Sequence, residues 1–445
     1  MSVNAAASST PWYRSLDRSQ WNTLLATNLG WLFDGYEVYA LILTVAVALH
    51  QLLDPGQYAQ IPAYAGKIIA TTLFGWGVGG MIGGILADYI GRKRTMMLAI
   101  LAYSLLTGLS AVAWSWESFA VLRFLVGVAI GSEWATGASI TAELWPDAAR
   151  GRGAGLMQCG LGIGFFMASL VWVFIGGLGP NAWRWMFLIG ILPGLATLWI
   201  RRGIPESAVW ERTHQLRQAA SERKASGRPL DTDHALTRFT LLELFADPKV
   251  RVRLVIVFLM SLATTLAWWG ISSFVPPYVA SVAVKAGLPG PAWAGYTGMA
   301  YNAGAILGYI SLGFFADIFG RKPITLVFFA AALLMTPVLF LWTHDLTLLL
   351  VAAAVNGFFT LGQYSWMPVW LPELFPTRVR ATGVAFAFNT PRFVAFLGPL
   401  MAGTLIANLG GFGNTAVTIS FIYVVGFIAT LALPETRGKP LPEEI

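Results

Sequence analysis

The segment GILADYIGRK at residues 84–93 recurs as GFFADIFGRK at residues 313–322, an offset of 229 residues. Two further motifs repeat in the same register. ELWPDAAR at 143–150 recurs as ELFPTRVR at 373–380, and PES at 205–207 recurs as PET at 434–436. Self-similarity at one offset marks a repeated structural unit. The sequence therefore predicts a chain built from two copies of one unit.

The composition indicates a membrane protein. Of the 445 residues, 56% are hydrophobic and only 11% are charged, and the mean hydropathy is +0.64. Globular proteins average about 25% charged residues, so the composition excludes a soluble enzyme, a nucleic-acid-binding protein and a disordered scaffold. The single cysteine, Cys159, excludes an intrachain disulfide and a zinc cluster. Residues 1–20 lack the apolar core of a signal peptide.

Twelve apolar runs are long enough to cross a bilayer, which requires about 20 residues per helix. They cover residues 21–48, 68–88, 95–114, 118–142, 153–177, 184–201, 252–283, 292–316, 323–342, 346–372, 381–407 and 412–433. The runs are continuously apolar, whereas strands of a membrane barrel would alternate over about ten residues. We therefore predict an all-α membrane protein with twelve transmembrane helices in two six-helix bundles.

Positive charge sets the predicted orientation. Of the 29 Lys and Arg residues, 24 lie at the termini, in the central loop and in one alternating set of short loops. An excess of Lys and Arg marks the cytoplasmic side, so we expect both termini there, in a plasma membrane (the inner membrane if the cell is bacterial). The predicted domains are a cytoplasmic segment 1–20, a bundle 21–201, a linker 202–250, a second bundle 251–433 and a tail 434–445.

The motifs resemble those of a known family. The repeated G-x-x-x-D-x-x-G-R-K loop is similar to the signature of the major facilitator superfamily, and the PES and PET ends are similar to those of its sugar porter branch. DGYE at 34–37, GSEW at 131–134 and PRF at 391–393 resemble motifs of metabolite and organic-acid:proton symporters, the sialate and aromatic-acid porters. Residues 264–274 read TTLAWWGISSF, without the QQxSGIN motif of sugar porters. The resemblance implies the major facilitator fold and alternating access.

Five acidic or basic residues fall inside the predicted spans away from the span ends: Asp34, Glu37, Arg123, Glu133 and Arg392. Each costs a few kcal/mol at the centre of a bilayer, so they should face a polar cavity or one another. The resemblance places the fourth span, which Arg123 opens, beside the first. We expect Asp34 to pair with Arg123 and to carry the coupled proton, with Glu37 and Glu133 as further proton-coupling candidates. The alternatives are a static buried ion pair and, for Glu133, a packing carboxylate.

Apart from Arg253 at the start of the span 252–283, Arg392 is the only Lys or Arg inside the predicted spans of the second half. A guanidinium suits bidentate binding of a carboxylate, so we expect Arg392 to bind an anionic substrate; the alternative is a partner for carbonyls or water. The resemblance also indicates aromatic and polar residues that could border the central cavity. These candidates are Tyr36, Gln158, Trp268, Trp269, Tyr301, Asn302, Tyr364 and Trp366. Their alternatives are contact with the lipid interface or packing.

The repeated loops supply a candidate cytoplasmic gate. Its residues are Gly84, Asp88, Gly91, Arg92, Glu143, Arg150, Asp317, Arg321, Glu373 and Arg380. The glycines allow close backbone approach, and Arg92 can pair with Asp88 or with acids of the other bundle. As the resemblance implies, we expect these pairs to hold the outward-open state; the alternative is that they only anchor topology. The linker is expected to be a solvated connection with short amphipathic helices.

The predicted function is proton-coupled symport of a small organic anion, such as an aromatic acid, a monocarboxylate or a sialate-like acid sugar. Buried acids and an intramembrane arginine in each half motivate this choice. The alternatives are a sugar, polyol or zwitterion porter of the same fold and, less favoured, a non-transporting membrane sensor. We expect a monomer that interacts with its substrate, protons and the lipid bilayer and binds no nucleic acid. We also expect that it is not an enzyme and that it has no metal or cofactor.

Overall fold

The computed structural model describes residues 12–195, 199, 203–227, 233–272 and 274–443, which are mostly α-helical and contain no β-strand. The first half contains α1 Arg18–Leu52, α2 Ile61–Ile90, α3 Arg92–Ser110, α4 Trp116–Leu144, α5 Arg150–Gln158, α6 Gly160–Ile175 and α7 Ala182–Ile189. The connection contains α8 Ala208–Ala225, α9 Asp233–Thr237 and α10 Thr240–Ala246. The second half contains α11 Pro248–Ser272, α12 Val275–Lys285, α13 Gly290–Phe319, α14 Arg321–Pro337, α15 Leu346–Thr360, α16 Trp366–Leu374, α17 Arg380–Asn389, α18 Arg392–Ala395, α19 Leu397–Leu409, α20 Phe412–Ser420 and α21 Ile422–Ala432.

Within the described residues, nine helical stretches are long and apolar enough to cross a membrane. Each overlaps one of the predicted spans. The remaining three predicted spans, 95–114, 184–201 and 381–407, overlap helices that are more polar, shorter or divided. The predicted N-terminal segment, sixth span, linker and tail fall partly on residues 1–11, 196–198, 200–202, 228–232 and 444–445, which lie outside the described residues.

Two of the predicted continuous spans are interrupted where candidate site residues lie. The span 381–407 breaks before Arg392 because Pro391 has no N–H to continue the helical ladder. The span 346–372 contains a 3₁₀ turn, Gly362–Ser365, which includes Tyr364. Short 3₁₀ turns inside helices often occur at functional positions. The breaks bring Tyr364 and Arg392 together at the centre of the second half.

The two halves meet along two equivalent helix pairs. Across the halves α2 packs on α17, and α5 packs on α13. A Cβ atom at Gly84 would overlap Ala385 of the opposite half, and a Cβ atom at Gly313 would overlap the carbonyl oxygen of Gly151. The predicted close approach at Gly84 is therefore confirmed, and its counterpart in the repeat uses the same device.

Candidate functional site

A buried ion pair joins the first and fourth helices of the first half. Arg123 Nη2 donates to Glu37 Oε1 over 2.6 Å, and both side chains are at most 2% exposed. The guanidinium also lies over the Phe187 ring, 5.0 Å from its centroid. The expected pairing of Arg123 with Asp34 is therefore wrong. Because α1 and α4 run antiparallel, Arg123 lies level with Glu37, one turn beyond Asp34.

Asp34 instead lies beside Glu133. Asp34 is fully buried and Glu133 is 1% exposed, and the two carboxyls are close enough for a hydrogen bond when one is protonated. Neither Asp34 oxygen has a hydrogen-bond partner among the described residues. The buried hydroxyl of Tyr103 on α3 is close to the same acids and has no partner in the described part of the chain. The four acidic and basic candidates of the first half thus form one cluster, with Tyr103 as an unpredicted member.

Arg392 is 2% exposed and is held by neutral groups. Its Nη1 donates to the Phe388 carbonyl, and its Nη2 donates to the Tyr364 hydroxyl over 3.1 Å. The guanidinium carbon lies 4.5 Å from the ring centroid of Trp76 in the opposite half and 4.1 Å from that of Phe388. Within the described residues, no carboxylate lies within ion-pair distance of Arg392. The guanidinium is therefore a buried cation without an anion.

A small cavity lies beside Arg392, between the two halves. Its volume is about 20 Å³, roughly the space of one water molecule. It is lined by Trp31, Val38, Trp76, Leu161, Phe165, Trp268, Trp269, Tyr364 and Arg392. A second void of about 20 Å³ lies beside Glu37 and Arg123 and shares Val38, Trp76 and Trp269 with the first. The structure is thus closed around a site that is too small for an organic substrate until the helices move apart.

Three of the predicted substrate-binding aromatics line this cavity: Trp268, Trp269 and Tyr364. The other candidates lie elsewhere. Tyr36 and Asn302 donate to backbone carbonyls, those of Met186 and Gly298. Trp366 donates to the Thr264 hydroxyl, and Gln158 accepts from Trp134. The hydroxyls of Tyr301 and Ser272 are 2.9 Å apart. The closed structure does not bring these five residues to the cavity, so their substrate contact stays a prediction.

The sequence analysis missed the aromatic residues that the first half contributes. Trp31 and Trp76 line the cavity with Phe165, and Phe388 stacks on Trp134 with ring centroids 3.5 Å apart. A signal was available in part, because Trp76 interrupts a glycine-rich stretch of α2. Nothing in a single apolar span, however, distinguishes a cavity-lining tryptophan from a lipid-facing one.

At the cytoplasmic end, each half contains an equivalent set of ion pairs. In the first half, Arg92 lies 3.1 Å from Asp88 and 3.2 Å from Glu143. In the second half, Arg321 lies 3.0 Å from Asp317 and 2.8 Å from Glu373. All of these side chains are nearly fully buried. Arg92 thus pairs with acids of its own half. Of the two alternatives in the sequence analysis, Asp88 or acids of the other bundle, the structure shows the pair with Asp88.

Two other arginines cross between the halves. Arg150 Nη1 lies 3.0 Å from Glu373 Oε1, and Arg380 Nη1 lies 2.8 Å from Glu143 Oε1. Each guanidinium also donates through Nε to a carbonyl of its own half, of Ala142 or Pro372. Each crossing glutamate therefore accepts from one arginine of its own half and one from the opposite half.

The repeated aspartates also cross the interface, through backbone hydrogen bonds. Asp88 Oδ2 accepts from the Thr382 N–H over 2.9 Å. Asp317 accepts from the N–H groups of Gly151 and Arg152 over 3.1 and 2.9 Å. A carboxylate at a helix N-terminus is favourable because the first N–H groups have no partner within the helix. Each aspartate therefore caps a helix of the opposite half, α17 or α5.

The linker and the tail bind to this face. Arg217 of α8 is only 9% exposed, although the linker was expected to be solvated. It donates to the carbonyl of Asp88 over 2.8 Å and to that of Arg378 over 2.9 Å, so it bridges the two halves. In the tail, the Pro442 carbonyl accepts from Arg380 over 2.9 Å. The connection is therefore part of the closed cytoplasmic face.

Glu435 anchors the tail to the second copy of the repeated loop. Burial acts to raise the pKa of this carboxyl, but hydrogen bonds from the backbone N–H groups of Lys322, Arg321, Arg437 and Thr436 hold the pKa below its ordinary value. At Gly91 the group that comes close is a side-chain carboxylate, not the backbone that we expected. Gly91 has a φ of +106°, and a Cβ atom there would overlap the Glu206 carboxylate.

Comparison with known proteins identifies similar transporters along nearly the whole chain. A family model described as "Sugar (and other) transporter" matches residues 25–444. A sialic acid transporter of Escherichia coli K12 is 28% identical over 95% of this chain and 95% of its own length. A niacin transporter of Acinetobacter baylyi is 26% identical over 96% of both chains. A cis,cis-muconate transport protein of the same organism is 29% identical over 84% of this chain and 86% of its own.

Solved structures show the same fold. The proton:xylose symporter of the major facilitator superfamily, bound to 6-bromo-6-deoxy-D-glucose, has a TM-score of 0.72 at 20% identity and covers 96% of this chain and 98% of its own. The E. coli xylose transporter in a partially occluded inward-open conformation has a TM-score of 0.63 at 21% identity, with 96% and 100% coverage. The all-helical architecture described above is therefore the major facilitator fold.

Proposed function

The chain belongs to the sugar (and other) transporter family, a family of membrane transporters rather than enzymes, and from that premise we propose that it imports a small organic anion together with protons. The proposal includes twelve transmembrane helices in two bundles, 21–201 and 251–433, with both termini cytoplasmic. It also includes a monomer that alternates access to a central site near the bilayer midplane. The plasma membrane is its proposed location, the inner membrane in a bacterium.

The buried Arg392 guanidinium is the observation that carries the anion assignment. A buried charge that lacks a counter-ion is costly, and among the described residues the groups that compensate for it are neutral: a carbonyl, a hydroxyl, the Asn389 amide oxygen and two aromatic rings. A substrate carboxylate would form the missing ion pair with Arg392. The flanking aromatic rings suit a substrate whose remaining part is apolar or unsaturated. The names of the sialic acid and muconate transporters support a carboxylic acid.

The ion pairs suggest how opening is coupled to the proton. Glu37 and Arg123 neutralise each other while the site is closed, and Asp34 and Glu133 lie beside them as the carboxyl groups that can take up the coupled proton. The crossing pairs Arg150–Glu373 and Arg380–Glu143 close the cytoplasmic face. We propose that these crossing pairs break when the inner face opens, which releases substrate and proton into the cytoplasm.

The test compares an acid with its uncharged amide. The melting temperature of the purified protein is measured with nicotinate and with its amide, nicotinamide. It is also measured with a second acid, cis,cis-muconate, and with an uncharged sugar, xylose. A ligand that binds only the folded protein stabilises it by about 2.7 kcal/mol at 100 times its Kd. We expect an acid to raise the melting temperature and its amide to have no effect.

The variant Arg392→Lys keeps the charge but removes the planar fork, so it should abolish most of this stabilisation. Arg212→Lys, on the exposed linker, is the matched control and should behave as the parent does. Equal stabilisation by acid and amide, or a full response in Arg392→Lys, would exclude a role for Arg392 in recognising a carboxylate. Stabilisation by xylose alone would favour the sugar alternative.

A further inference from the structure

Two carboxyl groups face each other inside the first half without a cation. Asp34 is fully buried, and Glu133 is 1% exposed. Among the described residues, no group donates a hydrogen bond to either oxygen of Asp34 or to Oε2 of Glu133. The nearby guanidinium of Arg123 is bonded to Glu37 instead. The pair is thus not accounted for by the ion pairs described above.

A glycine on α1 makes room for this arrangement. A Cβ atom at Gly30 would overlap Oε1 and Cδ of Glu133, so the Glu133 side chain lies directly on the α1 backbone. Gly30 is one helical turn before Asp34, and residues four apart share a face of the helix. Glu133 therefore lies along the stripe of α1 that Asp34 occupies.

The groups around the two acids do not supply a positive charge. Glu37 lies farther along α1 and is bonded to Arg123, and the Tyr103 hydroxyl approaches from α3. Within the described part of the chain, the charged groups that act on Asp34 are Glu133 and Glu37, and no cation acts on it from the other helices that pack on α1, which are α2, α5, α6 and α7. Two carboxylates that face each other in a water-poor site cannot both remain ionised.

We propose that Asp34 and Glu133 share one proton, with the O–H of one carboxyl donating to a carboxylate oxygen of the other, and that this pair is the proton-carrying site of the transport cycle. The assignment to transport rests on the proposed function, whereas the shared proton itself does not. The Glu37–Arg123 ion pair joins the same two helices, with Glu37 three residues after Asp34 on α1 and Arg123 ten residues before Glu133 on α4.

An aromatic stack separates the pair from the opposite half. Trp134, the residue after Glu133, stacks on Phe388 with ring centroids 3.5 Å apart and planes 13° apart. Trp31 lies 6.1 Å from both rings. Asp34 and Glu133 belong to the first half, and Phe388 belongs to the second. When the halves part on the cytoplasmic side, Phe388 would leave Trp134, water would reach the acids, and the proton would pass to that water.

The test is infrared spectroscopy of the purified full chain in lipid nanodiscs, without any substrate. We expect a carboxylic-acid C=O band at neutral pH that shifts in D₂O. Asp34→Asn and Glu133→Gln should each remove it, because the new amide N–H₂ donates to the remaining carboxylate. Glu117→Gln, on the exposed first turn of α4, is the control and should keep the band, as should Glu37→Gln. Correct folding is checked for each variant by size-exclusion chromatography.

Absence of the band in the parent protein, or an unchanged band in Asp34→Asn or Glu133→Gln, would overturn the proposal. Phe388→Ala should accelerate the D₂O shift of the band, and an unchanged rate would overturn the role of the stack. The two proposals fail separately. If no organic acid is transported but the band depends on both acids, only the proposed function fails; if acid uptake follows the proton gradient without such a band, only the shared proton fails.

Discussion

At the scale of single residues, the Glu37–Arg123 pair makes the clearest energetic prediction. Removing one partner of a buried ion pair costs about 3–5 kcal/mol, because the other charge stays buried without compensation. Glu37→Gln should therefore lower the unfolding free energy of the purified protein by about that amount. Adding Arg123→Gln to Glu37→Gln should restore part of the loss, and thermal melts of the three proteins measure this coupling.

Asp34→Asn is the control for this set of variants. Asp34 has no cation partner among the described residues, so its substitution should not destabilise the protein as Glu37→Gln does, and it should show no coupling to Arg123→Gln. If the coupling energy instead joins Asp34 to Arg123, the pairing described here is wrong in solution.

The residue identities were predictable from the sequence, but their pairing was not. Ionisable side chains in apolar spans are conspicuous because they are costly there, and the four in the first half do cluster. Asp34 and Glu37 are three residues apart on one helical face, so choosing between them requires the relative height of α1 and α4. That height depends on the packing of whole helices, which spacing within one span does not reveal.

At the scale of elements, each repeated aspartate caps a helix of the opposite half. Asp317→Asn keeps an acceptor for one N–H but presents a donor to the other, so the caps at Gly151 and Arg152 should weaken. Hydrogen bonds to charged groups contribute about 1.5–3 kcal/mol, which corresponds to roughly tenfold or faster amide exchange. Hydrogen–deuterium exchange followed by mass spectrometry should show this increase at the start of α5.

Asp345→Asn is the control for the cap experiment. Asp345 caps its own helix, α15, by accepting from the Leu348 N–H over 2.9 Å. Its substitution should increase exchange only at the start of α15. Faster exchange confined to α13 and α14 in Asp317→Asn, with α5 unaffected, would show that the contact between the halves is not formed.

The tail anchor should make stability depend on pH. Because the folded-state pKa of Glu435 lies below its ordinary value, ionisation stabilises the folded protein above the unfolded pKa of about 4.3. This contribution is lost as pH falls through the folded-state pKa. Glu435→Gln should therefore melt earlier than the parent at neutral pH, and the difference should shrink below about pH 4. Glu443→Gln, whose side chain is 70% exposed, should melt as the parent does at every pH.

Helix positions were largely predictable because apolar runs of bilayer length have few other interpretations. The breaks within these helices were less predictable than the helix positions. The break at Pro391 follows from the missing N–H of that proline, and the 3₁₀ turn Gly362–Ser365 likewise comes just before Pro368, which cannot donate to the Tyr364 carbonyl. The linker was also misjudged, because the basic residue Arg217 is buried against two carbonyls rather than exposed.

At the scale of the whole molecule, the repeat explains the symmetry of the closed cytoplasmic face. The ion pairs of Arg92 with Asp88 and Glu143, and of Glu143 with the opposite half, each have an equivalent in the second half, as the matched offsets predicted. The central site is asymmetric. The first half contributes the acids and the second half contributes Arg392, so Glu37 borders one small void and Arg392 borders a neighbouring one. No repeat could predict this asymmetry, because the two copies diverge in their membrane-embedded residues.

Flux into proteoliposomes tests the central claim most directly. The acid that stabilises the purified protein most is supplied outside, and uptake is measured together with internal pH, with and without an inward proton gradient. The account predicts accumulation only with the gradient, acidification of the interior that depends on the acid, and loss of both in Arg392→Lys and Glu37→Gln. Uptake at the same rate without a gradient, or without acidification, would contradict a proton-coupled anion symporter.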